Sequence, residues 1–200
     1  MDQVSLASWT ETICQLVEAQ PEPVILVGHS RGGILLSTVA ERLPRKIEHL
    51  VYLTAFLARD GETLSRLLVE DGTSLILQNR VVAADGRSSW VREEALQEIF
   101  YGECSDEDLA LAKLLLKPEP RGPASTAIHV TGANFGSVPR TYIECLRDRA
   151  IPLQLQRRMQ AASPCKAVLS IDTDHSPFLS AHRRLAELLL SISPQQSHAT

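Results

Sequence analysis

The feature that most limits what this chain can become is a glycine-rich turn between a strand and a helix. Residues 24–27 (VILV) form a short continuous apolar run, the pattern of a strand buried on both faces. Gly28 ends that run, and Gly28-His29-Ser30-Arg31-Gly32-Gly33 leads straight into a helical pattern over residues 34–43, closed by Pro44. A second run at residues 49–56, with β-branched and aromatic residues, reads as another buried strand and completes a strand–helix–strand unit. Such a connection implies neighbouring parallel strands. A serine held at a sharp strand-to-helix turn projects its hydroxyl above the sheet edge, provided the residues two before and two after are small. Gly28 and Gly32 fill those positions around Ser30.

The remaining pattern extends the α/β rhythm. A helix over residues 6–18 carries Trp9, Ile13, Leu16 and Val17 at helical spacing and is stopped by Pro21 and Pro23. Beyond Pro139, strands at 141–146 and 167–171 bracket a helix at 153–162, and a last helix presents Leu185, Leu188, Leu189 and Ile192 as one stripe. The tail from Pro194 on reads as frayed. Between the two halves the texture changes. Residues 64–69 suggest a short helix, and 75–82 and 88–91 a hairpin around Asp85-Gly86. Two more helices follow at 91–100 and 106–117, the second capped by Ser105 and ended by Pro118 and Pro120. The expected division is a core of residues 1–60 and 137–200 with an insertion at 61–136.

Composition narrows the function. Two hundred residues suit one domain, and 24 acidic against 20 basic side chains, for a net charge of −4, disfavour a nucleic-acid surface. The apolar runs are too short for a membrane span. Cys14, Cys104, Cys145 and Cys165 are scattered without metal-ligand spacing, and read as reduced thiols of a cytoplasmic protein. No cofactor or metal is expected. The N-terminus carries no signal peptide pattern.

A serine hydroxyl needs a base oriented by an acid before it can attack a carbonyl. His175 lies just past the strand at 167–171, at the carboxyl edge where open α/β sheets bind ligands. The other histidines fit less well. His49 opens a strand, His129 lies in the insertion, His182 in a helix and His198 in the tail, while His29 sits on the wrong side of the turn to share a proton with Ser30. For the acid, Asp148 follows the strand at 141–146 and is flanked by Arg147 and Arg149. Asp172 and Asp174 are rivals, but chain neighbours of a histidine rarely reach its Nδ1. The expected catalytic set is Ser30, Asp148 and His175.

The blocks VILVGHSRGG, CSDEDLALAKLLLKP, GSVPRTYIECLRDRAIP and TDHSPFL resemble the α/β-hydrolase group of plant methylesterases and hydroxynitrile lyases, with its bacterial esterase relatives. The resemblance runs from about residue 9 to residue 190. It implies an α/β-hydrolase fold with a mostly parallel sheet and a mostly helical cap formed by the insertion. It also implies Ser30 as nucleophile, Asp148 as acid, His175 as base and the backbone N–H of Arg31 as an oxyanion donor. The lyases carry lysine directly after the catalytic histidine. Ser176 stands there in this chain, which favours hydrolysis of a carboxylic ester of a small, largely apolar acid over cyanohydrin cleavage. The group's N-terminal strands and the His-Gly loop supplying the other oxyanion N–H have no counterpart, so an N-terminally truncated fold is expected. The nucleophile strand then becomes a sheet edge, open to pairing with a second copy of the chain. The alternative reading is a degenerate hydrolase domain that binds small molecules or a partner without catalysis. Trp90, Phe100, Leu114 and Leu115 of the insertion are expected to form core rather than pocket, and the Arg31 side chain to face solvent, the alternative being that it meets an acidic group of the substrate.

Overall fold

The computed structural model describes residues 4–192. The tail after Pro194, including His198, lies outside the described residues. In chain order the elements are α1 (Leu6–Glu18), β1 (Val24–Ser30), α2 (Gly32–Arg42), β2 (Ile47–Ala55), α3 (Leu64–Asp71), α4 (Ile76–Asn79), β3 (Arg80–Val82) and β4 (Ser88–Val91). Then come α5 (Leu96–Phe100), α6 (Asp106–Leu115), β5 (Glu119–Pro120), α7 (Gly122–Ser125), β6 (Arg140–Cys145), α8 (Leu153–Ala162), β7 (Ala167–Ile171), α9 (Pro177–Ser180) and α10 (His182–Ile192). A four-stranded parallel sheet runs β1-β2-β6-β7, and a small antiparallel sheet runs β3-β4-β5.

The central strands β2 and β6 are almost wholly buried, and their alternation builds two cores. Leu50 and Tyr52 face one side with Val39, Leu155 and the buried residues of α1. Val51, Leu53 and Ile143 face the other, against Leu185 and Leu188 of α10, with Leu189 and Ile192 of the expected stripe packed alongside. Strand β1 departs from the expected double burial. Among the described residues it pairs with β2 alone, so residues 24–26 are half-buried and Val27 is exposed. It also does not stop at Gly28 but pairs with β2 through Ser30. Helix α1 starts on the reciprocal Ser5/Ser8 capping box, yet its buried face is Leu6, Thr10, Cys14 and Val17, and Leu16 is exposed. The rotation follows from Thr10, whose hydroxyl donates to the Leu6 carbonyl and bonds Thr38 of α2, so it is buried at little cost.

The segment between β2 and β6 departs most from expectation. The Asp85-Gly86 turn forms, with Gly86 at φ 71°, but Leu75 does not begin a strand. Its N–H donates to the Arg149 carbonyl and the chain coils into α4, leaving only three residues for β3. The helix expected at 91–100 is likewise shorter, a 3-10 turn at Glu93–Ala95 running into α5. Ser105 caps α6 as expected, accepting from the Asp108 N–H, but α6 ends at Leu115. The prolines that end it frame β5, whose Glu119 pairs with Ser89 of β4. Leu114 and Leu115 are exposed rather than core, and no residue of α6 is buried. All four cysteines are free. No helix of the described residues is long and apolar enough to cross a membrane.

Candidate active site

The turn around Ser30 is clamped from below. Ser30 has φ 54°, a left-handed conformation that non-glycine residues adopt at a cost, and its carbonyl accepts from the Phe56 N–H at 3.0 Å. Glycine is required at two positions of the motif, not quite those read from the spacing. A Cβ on Gly28 would lie 2.6 Å from Leu36 Cγ, and one on Gly33 2.2 Å from the Phe56 carbonyl oxygen, whereas one on Gly32 would meet nothing within 4 Å. The β2 exit cannot yield at Gly33 without moving the turn itself. Gly33→Ala is therefore expected to cost about 3 kcal/mol of stability or more, while Gly32→Ala stays within about 0.5 kcal/mol of the parent. Urea unfolding of the two variants checks this, and similar stabilities would refute the clamp.

Asp148 and His175 are brought together from separate loops. His175 Nδ1 lies 2.7 Å from Asp148 Oδ2, and both side chains are almost fully buried. Asp148 Oδ1 accepts from the backbone N–H groups of Ala150 at 2.7 Å and Ile151 at 2.8 Å. Its Oδ2 also accepts from the hydroxyl of Thr54, at the carboxyl end of β2. Thr54 has φ 35°, a second strained non-glycine residue, and nothing in its sequence neighbourhood marks it out. The flanking arginines turn away: Arg147 pairs with Glu103 and Asp172, and Arg149 with Glu98.

The rival acids hold other posts. Asp172 lies at the surface, where it meets Arg147. Asp174 is buried and accepts from the Ser176 N–H, the Ser180 hydroxyl and the Glu103 N–H at 2.8 Å, tying the loop before α6 to the loop of His175. Cys104 also points its thiol at Asp174, and burial together with that carboxylate pushes the thiol up to about 12.

His29 contacts the base directly, which its position beside the turn did not reveal. Its Nε2 is 2.7 Å from the His175 carbonyl oxygen, which can only accept, so that nitrogen carries the proton. The two rings lie 4.5 Å apart, with Phe178 edge-on to His29 and Phe100 5.4 Å from His175. Burial, and then the neighbouring His175, depress His29 to about 3. Below pH 6.5 an unfolded His29 takes up a proton that the folded one refuses, so its contribution is complete above 6.5 and is lost as the pH falls toward 3. Between pH 7 and 5 the protein is expected to lose about 1–2 kcal/mol more stability than His29→Gln does. Parallel urea titrations at the two pH values would show equal losses if His29 titrated normally.

Ser30 and His175 line one cavity of about 780 Å³, with Phe56, Leu68, Phe100 and Phe178 on its walls. Trp90 also lines it, so neither Trp90 nor Phe100 is simply core. Among the described residues the Ser30 hydroxyl has no hydrogen-bond partner, as is common before a substrate aligns such groups. Arg31 does not face solvent freely. Its guanidinium pairs with Glu119 of β5 and lies 5.2 Å above the Trp9 ring, a link that could not be foreseen while β5 was read as a helix end. Ser176, where the lyases have lysine, is buried and donates its N–H to Asp174. Among the described residues no group of His, Cys, Asp or Glu is arranged to hold a metal ion.

Residues 2–188 match the model of the alpha/beta hydrolase family. The chain is 31% identical over 200 residues to putative methylesterase 13, chloroplastic, of Arabidopsis thaliana, covering 94% of this chain and 45% of that protein. It is 32% identical to salicylic acid-binding protein 2 of Nicotiana tabacum, covering 94% of this chain and 78% of that one. The solved structure of a pyrethroid hydrolase from Sphingobium faniae JZ-2 superposes with a TM-score of 0.85 at 30% identity, over 94% of this chain and 77% of that chain. The chain thus spans about half the length of the first of these relatives. A parallel sheet with a strained serine at the β1–α2 turn, matched by these relatives over nearly its whole length, identifies the chain as a member of the alpha/beta hydrolase family, in the group that includes the plant methylesterases.

Proposed function

We propose that the protein hydrolyses carboxylic esters through an acyl-enzyme on Ser30. One observation carries the reading: His175, buried and paired with Asp148, lines the same cavity as the strained Ser30. An ionised Asp148 only accepts hydrogen bonds, so the proton between it and His175 sits on Nδ1, and Nε2 is left as a base. Nε2 takes the Ser30 proton as Oγ attacks the ester carbonyl, then returns it to the departing alcohol. Water frees the acyl group by the same route. The negative oxygen of the tetrahedral intermediate falls at the start of α2, where the Arg31 N–H is a donor and the helix dipole favours negative charge. The relatives named methylesterase and pyrethroid hydrolase support an ester substrate. Apolar walls at Phe56, Leu64, Leu68, Phe100 and Phe178 support a largely apolar acyl group. The segment between β2 and β6 supplies part of that wall and acts as a cap over the site.

A fluorophosphonate probe tests the assignment, because it reacts only with a serine that a base has activated. Mass spectrometry is expected to find the label on the peptide carrying Ser30. Folded protein that takes no label and cleaves no ester would overturn the reading.

A further inference from the structure

The lining of the cavity is of two kinds. Apart from His175 and Ser176, its buried members are apolar, with Phe56, Leu64 and Leu68 each less than one-tenth exposed. Its more exposed members are strongly cationic: Arg31, Arg80, Lys113, Lys117 and Arg121 line it, against only Glu93 and Glu119. An excess of three positive charges in one cavity runs against a chain whose net charge is −4. Nor is the excess absorbed locally. Glu119 neutralises Arg31, and Glu93 lies 3.4 Å from Lys113. Arg121 donates to the neutral Gly86 carbonyl, and among the described residues neither Arg80 nor Lys117 has a carboxylate partner. Cations of one sign on a low-dielectric wall focus their field into the cleft and raise the local concentration of anions. Nothing in the ester chemistry proposed above requires them.

The geometry points to a substrate that is itself an anion: an ester whose hydrocarbon body carries, away from the scissile bond, an ionised carboxylate, as in a half-ester of a dicarboxylic acid. The hydrocarbon lies along the apolar wall, the ester reaches Ser30, and the carboxylate meets Arg80, Lys117 and Arg121. Hydrolysis adds water across the ester C–O bond, releasing the alcohol and a dicarboxylate. This reading of the substrate rests on the ester hydrolysis proposed above, and its test separates the two.

Monomethyl suberate and its uncharged analogue methyl 7-carbamoylheptanoate differ only in the remote carboxylate. At low ionic strength kcat/KM is expected to be about tenfold higher for the charged ester, and the ratio to fall toward one in about 0.5 M NaCl. The pair Arg80→Gln with Lys117→Gln, which leaves Arg121, is expected to bring the ratio to about threefold or less, while Arg45→Gln, on the surface outside the cavity, keeps it. Equal rates for the two esters, or a preference for the amide, would overturn the anionic substrate and leave ester hydrolysis standing. Should neither ester turn over, calorimetry on the Ser30→Ala protein decides. Tighter binding of the charged ester upholds the inference, and equal binding or none of either refutes it.

Discussion

Ser30→Ala and Ser30→Gly are both expected to lower kcat by about 10⁶-fold, and the glycine variant is expected to be the more stable of the two by about 1 kcal/mol. The loss of turnover follows from removing the only nucleophile the mechanism uses. The order of stability is less obvious. Glycine is usually the poorer residue because it loses more backbone freedom on folding. At φ 54°, however, alanine meets the same left-handed penalty as serine, and glycine does not. The turn cannot relax to avoid it, because the Ser30 carbonyl is bonded to Phe56 and Gly33 is pressed against the Phe56 carbonyl. Strain of this kind persists at functional sites because the surrounding structure over-determines it. Urea unfolding of both variants and turnover of a p-nitrophenyl ester check the two halves. An alanine variant more stable than the glycine one would mean that the bend stores no strain.

Asp148→Asn is expected to lower kcat by about 10⁴-fold with little change in stability. The reason lies in how the carboxylate is divided. Two backbone donors, Ala150 and Ile151, converge on Oδ1 and demand an acceptor there. The asparagine oxygen therefore takes that place, and its NH₂ group is turned toward His175 and Thr54. Facing a donor, His175 Nδ1 becomes an acceptor and its proton moves to Nε2, where it blocks removal of the Ser30 proton. The fold survives because the buried N–H groups of Ala150 and Ile151 keep a partner. Asp148→Ala would strand them, and is expected to cost stability as well as turnover. A loss of less than tenfold in Asp148→Asn would show that Asp148 does not set the histidine tautomer.

The elements most legible in the sequence were those whose residues carry a local cause. Helix α8 begins after Pro152 and β7 is a short, mostly apolar run, and both occur where the pattern puts them. The small antiparallel sheet was far less legible. Leu75 looks like strand, yet its backbone is claimed by the Arg149 carbonyl, and β5 is two residues whose only local signal is a proline that reads as a helix stop. Site residues divide in the same way. Ser30 was marked by its glycines, whereas Thr54 and His29 act through partners 94 and 146 residues away in the chain.

The amino-acid order alone determined the sharp turn at Ser30 and the strand ends from which Asp148 and His175 emerge. These depend on steric rules acting within a few residues, which hold wherever the segment is found. Tertiary structure alone decided that His29 braces the base, that Thr54 shares the Asp148 carboxylate and that Glu119 meets Arg31. Each of those contacts joins segments brought together only when the sheet and the segment above it pack, and no local preference records the partner.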